Sequence, residues 1–474
     1  MQVNQPDNPG FTVQQRWVLG LAAAGSCMAA LDALVVTTAL DTLRHELSAS
    51  VEALEWTVNA YGLSFAVLLM TASALGDRWG RRRVYSAGLL VFAASSAACA
   101  LAPGIGWLIA GRALQGLGAA MVLPLAMALL AAAFPPAQRG KALGLFSGVT
   151  GLAVLAGPVV GGAVVHGLAW QWIFWINVPF ALLVAALVWR KVPESKGAPG
   201  KLDWRGAVLM VLSLLGLVWG LMRGAHDGWF SGPVLGALGA GLVLGAAVVA
   251  SQRREAWEAM VPPRLFRSPV FAAANVAGFL MTASLMGTLF FMAQFFQVVQ
   301  GRSPLGAGLS MLPWTATLFL VAPVAGAMVA RVGARTLVVV GLVLQGIGVG
   351  WVALLAGPQT AYALWVLPMV VTGAGVSMAM PAVQSAVLAE VEPGDIGKAS
   401  GLFQTLRQLG GVLGVAIAAT VFTGAGGYAS AQQFSSGFAQ ALAACAVLSL
   451  AGAAVALRLR GKAPISLQPT GVKV

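Results

Sequence analysis

Fourteen apolar runs, each long enough to cross a bilayer and separated by brief polar stretches, fill this chain of 474 residues. They cover residues 17–40, 53–75, 84–101, 107–132, 142–165, 172–189, 206–222, 233–250, 270–299, 304–329, 336–355, 361–388, 399–422 and 434–457. A helix needs roughly 20 apolar residues to cross about 30 Å of hydrocarbon. Only helices and closed barrels satisfy their own backbone groups there. Barrel strands alternate apolar and polar residues, whereas these runs are apolar on all sides. The expected fold class is therefore an all-α polytopic membrane protein with 14 transmembrane helices. With 59% hydrophobic and 9% charged residues, no stretch is left for a soluble catalytic domain.

The formal charge of +13 suggests nucleic acid until its placement is considered. If the N-terminus is cytoplasmic, outside loops hold only Arg44, Arg223 and Arg302, and Arg112 and Arg407 fall within spans. Every other Lys and Arg lies in an inside loop or tail. This is the positive-inside pattern, and it predicts a multi-pass protein with both termini cytoplasmic, a lipid bilayer as partner and no nucleic acid. Cys27, Cys99 and Cys445 fall inside apolar runs and imply no disulfide framework. Trp17, Trp107, Trp172, Trp189, Trp204 and Trp229 fall at run ends, where indoles anchor at the headgroups. His45, His166 and His226 are scattered without metal-ligand spacing, so no metal is expected. The first run is too long for a signal-peptide core and is expected to remain as the first helix.

The chain also repeats itself. Arg78 and Gly80 return as Arg331 and Gly333 at an offset of 253 residues. Gly140-Lys141-Ala142-Leu143-Gly144-Leu145-Phe146 returns as Gly397-Lys398-Ala399-Ser400-Gly401-Leu402-Phe403 at an offset of 257, as does Pro124 at Pro381. The echoes pair the early runs with the late ones and leave the seventh and eighth unmatched. The expected organisation is a six-helix half over 1–190, an inserted two-helix hairpin with its linkers over 191–268, a second six-helix half over 269–458 and a tail over 459–474. Two such halves rocking around a central site is the layout of a secondary transporter.

Particular residues then carry a resemblance. The loop Asp77-Arg78-Trp79-Gly80-Arg81-Arg82, the fifth-run pattern Gly157-Pro158-Val159-Val160-Gly161-Gly162, the intramembrane Arg112-Ala113-Leu114-Gln115-Gly116 and the first-run Leu31-Asp32-Ala33-Leu34 together resemble the major facilitator superfamily, and within it the fourteen-helix drug:proton antiporters. The chain departs from the loop's usual leading glycine at Ser73, and from the usual end of the first-run motif at residues 37–41. The resemblance implies a gating role for Asp77, Arg78, Gly80, Arg81 and Arg82 and for the proline kink at Gly157, Pro158, Gly161 and Gly162. It implies proton coupling at Asp32, modulated by Arg112. Physical chemistry agrees in kind: a charge near mid-bilayer is costly and marks function by default. For a carboxylate there, desolvation and a nearby guanidinium pull its protonation in opposite directions. Glu55 is the second choice of carboxylate, although it and Glu52 are expected at a solvated outer mouth.

A cavity for varied compounds would be lined by adaptable and aromatic groups with a few polar handles. The candidates are Met28, Asn59, Tyr61, Phe65, Gln115, Met121, Phe291, Gln294, Phe295, Gln297, Trp314, Met378, Gln384, Gln404, Arg407 and Gln408. The expectation is a monomeric, proton-driven exporter of hydrophobic and cationic compounds in a bacterial cytoplasmic membrane. It needs no cofactor beyond the proton gradient. Export of one endogenous metabolite, antibiotic or lipid is the rival within transport, and a non-transporting receptor or scaffold the rival outside it. No nucleophile, metal or acid–base cluster points to an enzyme.

Overall fold

The computed structural model describes residues 11–197, 204–254, 263–391 and 396–460. The tail expected from 459 lies outside them beyond Arg460. Within them the chain forms α1 (Val13–Glu46), α2 (Val51–Trp79), α3 (Arg81–Ala100), α4 (Ile105–Ala133), α5 (Pro136–Gly167), α6 (Trp172–Trp175), α7 (Asn177–Lys191), α8 (Trp204–Asp227), α9 (Gly232–Arg254), α10 (Pro269–Val298), α11 (Pro304–Ser310), α12 (Leu312–Val332), α13 (Ala334–Leu354), α14 (Tyr362–Ala389), α15 (Ile396–Ala425) and α16 (Ala431–Ala456). Among the described residues, 12 spans are long and apolar enough to cross a membrane. The expected seventh and eighth spans are α8 and α9, of 24 and 23 residues. At 1.5 Å per residue each runs about 35 Å, enough to cross.

Two expected spans are broken. The sixth divides into α6 and α7, and the tenth into α11 and α12. Pro179 and Pro313 stand in the first turns of α7 and α12, where a missing N–H goes unmissed in a new helix but would interrupt a continuous one. The fifth span is not broken: α5 runs through Pro158 as one helix. Interior prolines also occur in α4, α12 and α14, so they are not peculiar to one half.

Lipid offers no hydrophobic drive between helices, so small residues must let backbones approach. The repeat is visible in these approaches. Gly88 of α3 lies against the Gly118 carbonyl of α4, and Gly341 of α13 against the Gly375 carbonyl of α14, at the same offsets of 253 and 257. Gly116 meets the Tyr61 carbonyl, and Gly373 meets the Trp314 carbonyl, again at those offsets. Gly80 and Gly333, between α2 and α3 and between α12 and α13, have φ of +110° and +94°, a region that favours glycine.

Short connections make successive spans antiparallel, so one end of the molecule carries the arginine-rich loops and both described termini. We call it the basic end. The two halves share a core at the opposite end, where Leu34, Val35, Leu40 and Phe174 join Phe290, Phe291, Trp314 and Phe422. Towards the basic end each half keeps its own core, one of Val18 to Val192 and one of Leu265 to Leu459. The halves share one core at the closed end and keep separate cores towards the basic end, where Gly401 of α15 still meets Met70 of α2. The α8–α9 hairpin packs at their side: Leu214 and Val218 join Leu63 and Val67 of α2 and Leu409 and Val412 of α15.

Candidate functional site

The close approach of Gly116 to α2 and of Gly118 to α3 brings α4 near enough for its polar side chains to reach neighbouring helices. Arg112 and Gln115, one turn apart on α4, share a face. Facing them are Asp32 of α1, Thr57 and Tyr61 of α2, Ser96 and Cys99 of α3, Phe174 of α6 and Asn177 of α7. The Arg112 Nη1 donates to Asp32 Oδ2 at 2.5 Å, and both side chains are 1% exposed. The other Asp32 oxygen accepts from Asn177 Nδ2 at 2.8 Å and from Gln115 Nε2 at 3.2 Å. Arg112 also donates to Gln115 Oε1 at 2.8 Å and, through Nε, to the Thr57 carbonyl at 3.2 Å. Gln115 Nε2 reaches Ser96 Oγ at 2.7 Å. The guanidinium sits 4.4 Å from the Tyr61 ring centroid, and the Tyr61 hydroxyl donates to the Ala29 carbonyl at 3.1 Å.

Two buried opposite charges therefore neutralise one another inside a cage of amides. Such a pair is costly to desolvate, and removing one partner strands the other. Chemically the cluster offers one carboxylate and one guanidinium out of contact with water, each held by hydrogen bonds to neighbouring helices. Asn177, Ser96 and Thr57 belong to it and were absent from the sequence-based set.

Glu55 is not solvated. It is 4% exposed, with Oε2 lacking a hydrogen bond among the described residues, and it lies at the closed end. Glu52 keeps the exposed position and meets Arg223 of α8 at 3.3 Å. Tyr428, in the α15–α16 connection, lies under the Arg44 guanidinium at 4.2 Å and donates to Gln294 Oε1. Burial pushes its phenol well above the ordinary range, with Arg44 opposing and Asp41 and Glu55 adding. Gln297 Nε2 crosses between halves to the Thr38 carbonyl at 3.1 Å. The structure thus places Gln294 and Gln297 in the closed seam.

Gly157 and Gly161 seat α5 on Leu34 and Val35 of α1, while Gly162 lies against Pro304 and Leu305, and Gly308 against Pro158 and Val159. The fifth-run motif is half of this seam between α5 and α11. At the basic end Asp77 Oδ1 pairs with Arg81 at 2.8 Å, and Arg78 is exposed. The loop is engaged by the start of the α7–α8 linker: Arg82 N donates to Glu194 Oε1 at 3.0 Å, Arg81 N to the Ser195 carbonyl at 2.8 Å and Gly197 N to the Asp77 carbonyl at 3.2 Å. Glu194 was not among the sequence-based candidates.

Of the remaining lining candidates, Phe291 and Phe295 are packed rings, 4.5 Å from Phe422 and 4.4 Å from Phe438, in the core of the closed end. Trp314 and Met28 are buried, Phe65 stacks on Tyr61, and Asn59 is buried with both amide atoms lacking hydrogen bonds among the described residues. Met121, Met378, Gln384, Gln404, Arg407 and Gln408 remain partly accessible. His45 and His166 are exposed, and the His226 side chain lies outside the described residues.

The sequence matches the description of the Major Facilitator Superfamily over residues 22–415. It is 35% identical over 404 residues to the tetracenomycin C resistance and export protein of Streptomyces glaucescens, covering 85% of this chain and 75% of that one. It is 34% identical over 419 residues to the multidrug efflux pump LfrA of Mycolicibacterium smegmatis, covering 87% and 82%. In structure it is similar to a crystal structure of the peptide transporter POT, with a TM-score of 0.69, 16% identity and coverage of 93% and 94%.

Proposed function

This chain belongs to the Major Facilitator Superfamily, and on that premise we propose that it exports hydrophobic compounds across a bacterial cytoplasmic membrane in exchange for protons. The observation that carries the reading is the buried pair of Asp32 and Arg112 at 2.5 Å, on helices of one half only. Proton uptake at Asp32 removes the negative charge that Arg112 balances, so Arg112 must find other acceptors, and Gln115 Oε1 and the Thr57 carbonyl already stand beside it. Two protonation states therefore favour two arrangements of α1 against α4. That bias is what alternating access requires. The positive-inside rule assigns the basic end to the cytoplasm, so in this reading the core shared by the halves closes the outer side. The outer gate in this reading is the α5–α11 seam with Gly157, Pro158, Gly161 and Gly162, and the inner gate is the Asp77 loop with its arginines.

The relatives named for resistance, export and efflux support a drug or antibiotic as cargo. A cationic cargo held by Asp32 itself would have to displace Arg112. The inserted hairpin, the division of the chain at 190, 268 and 458, and a monomeric state belong to the same proposal.

The experiment is dye-reported proton release from acid-loaded inverted vesicles on addition of a panel of lipophilic compounds, comparing wild type with Asp32→Asn. Release by wild type and none by the mutant is the expected result. Unchanged release in the mutant would remove Asp32 as the carrier and turn attention to Glu55.

A further inference from the structure

We propose that Arg407, with Gln404 and Gln408 beside it on α15, forms a cleft subsite for an acidic group, a carboxylate or phenolate, on the exported compound. The proposal rests on the export reading above. The three residues recur at helical spacing and share a face of the 30-residue α15, near its middle. Their side chains are partly accessible, whereas Gly411, Val415, Ala418 and Phe422, the continuation of that face towards the closed end, are buried. The face therefore changes from cleft wall to seam along its length. Lipid is a poor neighbour for two amides and a guanidinium, and Gly401 on the same face packs against Met70 of α2, so the accessible part fronts the boundary between the halves.

What distinguishes Arg407 is its company. Its hydrogen bond among the described residues runs from Nε to Gln404 Oε1 at 3.0 Å, a neutral partner, and no carboxylate there lies within 4.0 Å of its guanidinium. Arg112, on α4 of the other half, is matched by Asp32. The negative charge of Asp32 is in turn consumed by Arg112, Gln115 and Asn177. Glu55 lies in the second turn of α2 at the closed end, far along the membrane normal from Arg407. Among the described residues, Arg407 thus stands as a permanent positive charge without a fixed counter-charge. A guanidinium in this setting keeps its charge and presents a planar fork that fits a carboxylate with two parallel hydrogen bonds. A lipophilic cation would meet repulsion there.

Matched naphthyl probes test this: naphthalene-2-carboxylate, its neutral carboxamide and a naphthyl trimethylammonium of the same size, titrated against purified full-length protein by fluorescence. Wild type should bind the carboxylate about 10- to 100-fold more tightly than the carboxamide, the range for a hydrogen-bonded charged group. Arg407→Gln should abolish that preference and Arg407→Lys retain part of it, with thermal unfolding of each variant confirming that it is folded. Tightest binding of the ammonium by wild type, or a preference that survives in Arg407→Gln, would overturn the proposal. Proton release driven by the same probes separates the two readings. Arg407-dependent binding without proton release would break the exchange reading and support the subsite, whereas release unaffected by Arg407→Gln would break the subsite alone.

Discussion

At four positions related by the internal repeat, Tyr61 corresponds to Trp314, Ser96 to Val349, Arg112 to Met369 and Gln115 to Thr372. The backbone crossings around them are the same, since Gly116 and Gly118 pack as Gly373 and Gly375 do. In the first half these positions carry an ion pair and its amide cage. In the second, Trp314, Val349 and Met369 belong to the apolar core at the closed end. The fold therefore needs the glycines in both halves and the charges in neither. One half keeps a buried ion pair at positions where the other half carries Trp314, Val349, Met369 and Thr372.

The largest expected effect comes from making the first half resemble the second. Arg112→Met strands Asp32, which should cost about 3–5 kcal/mol in thermal unfolding and eliminate proton release. Retention of both would dissolve the contrast. The double variant Asp32→Asn with Arg112→Met removes both charges, and its stability should return to the wild-type level or above it while proton release stays absent. The reverse comparison is Phe295→Ala, which should cost about 3–5 kcal/mol by opening a cavity and leave the requirement for Asp32 intact. Gly116→Ala and Gly373→Ala should each cost about 1–3 kcal/mol through crowding of the facing backbone. Unequal costs would show that the two crossings are not equivalent. Asn177→Ala is the mildest, at about 1–1.5 kcal/mol for one lost hydrogen bond, with a displaced pH profile of proton release that a purely structural residue would not produce.

The spans, the duplication and the partnership of Asp32 with Arg112 were legible because they rest on run length, periodicity and a rare intramembrane charge. Asn177 and Glu194 were not. Their partners Asp32 and Arg82 lie 145 and 112 residues away, and neither residue has a local oddity to mark it. Phe291 and Phe295 could not be assigned to core or cleft because a run that is apolar on every side gives no stripe to orient it. Gln294 and Gln297 were noticed as polar groups in a span, but that they belong to a seam depends on how the halves meet. Glu55 was placed at a wet mouth because its position near a helix start was known and the closure above it was not.

The shared core at the closed end has a thermal consequence. Leu40, Phe290, Trp314 and Phe422 lie in it, and many of the contacts that hold the halves together there are apolar or run backbone to backbone. Separating the halves at that end brings buried hydrocarbon into contact with water, a change that carries a positive heat capacity. The balance between the two access states should then curve with temperature rather than follow a straight van't Hoff line, and on cooling the seam should loosen as the hydrophobic term weakens.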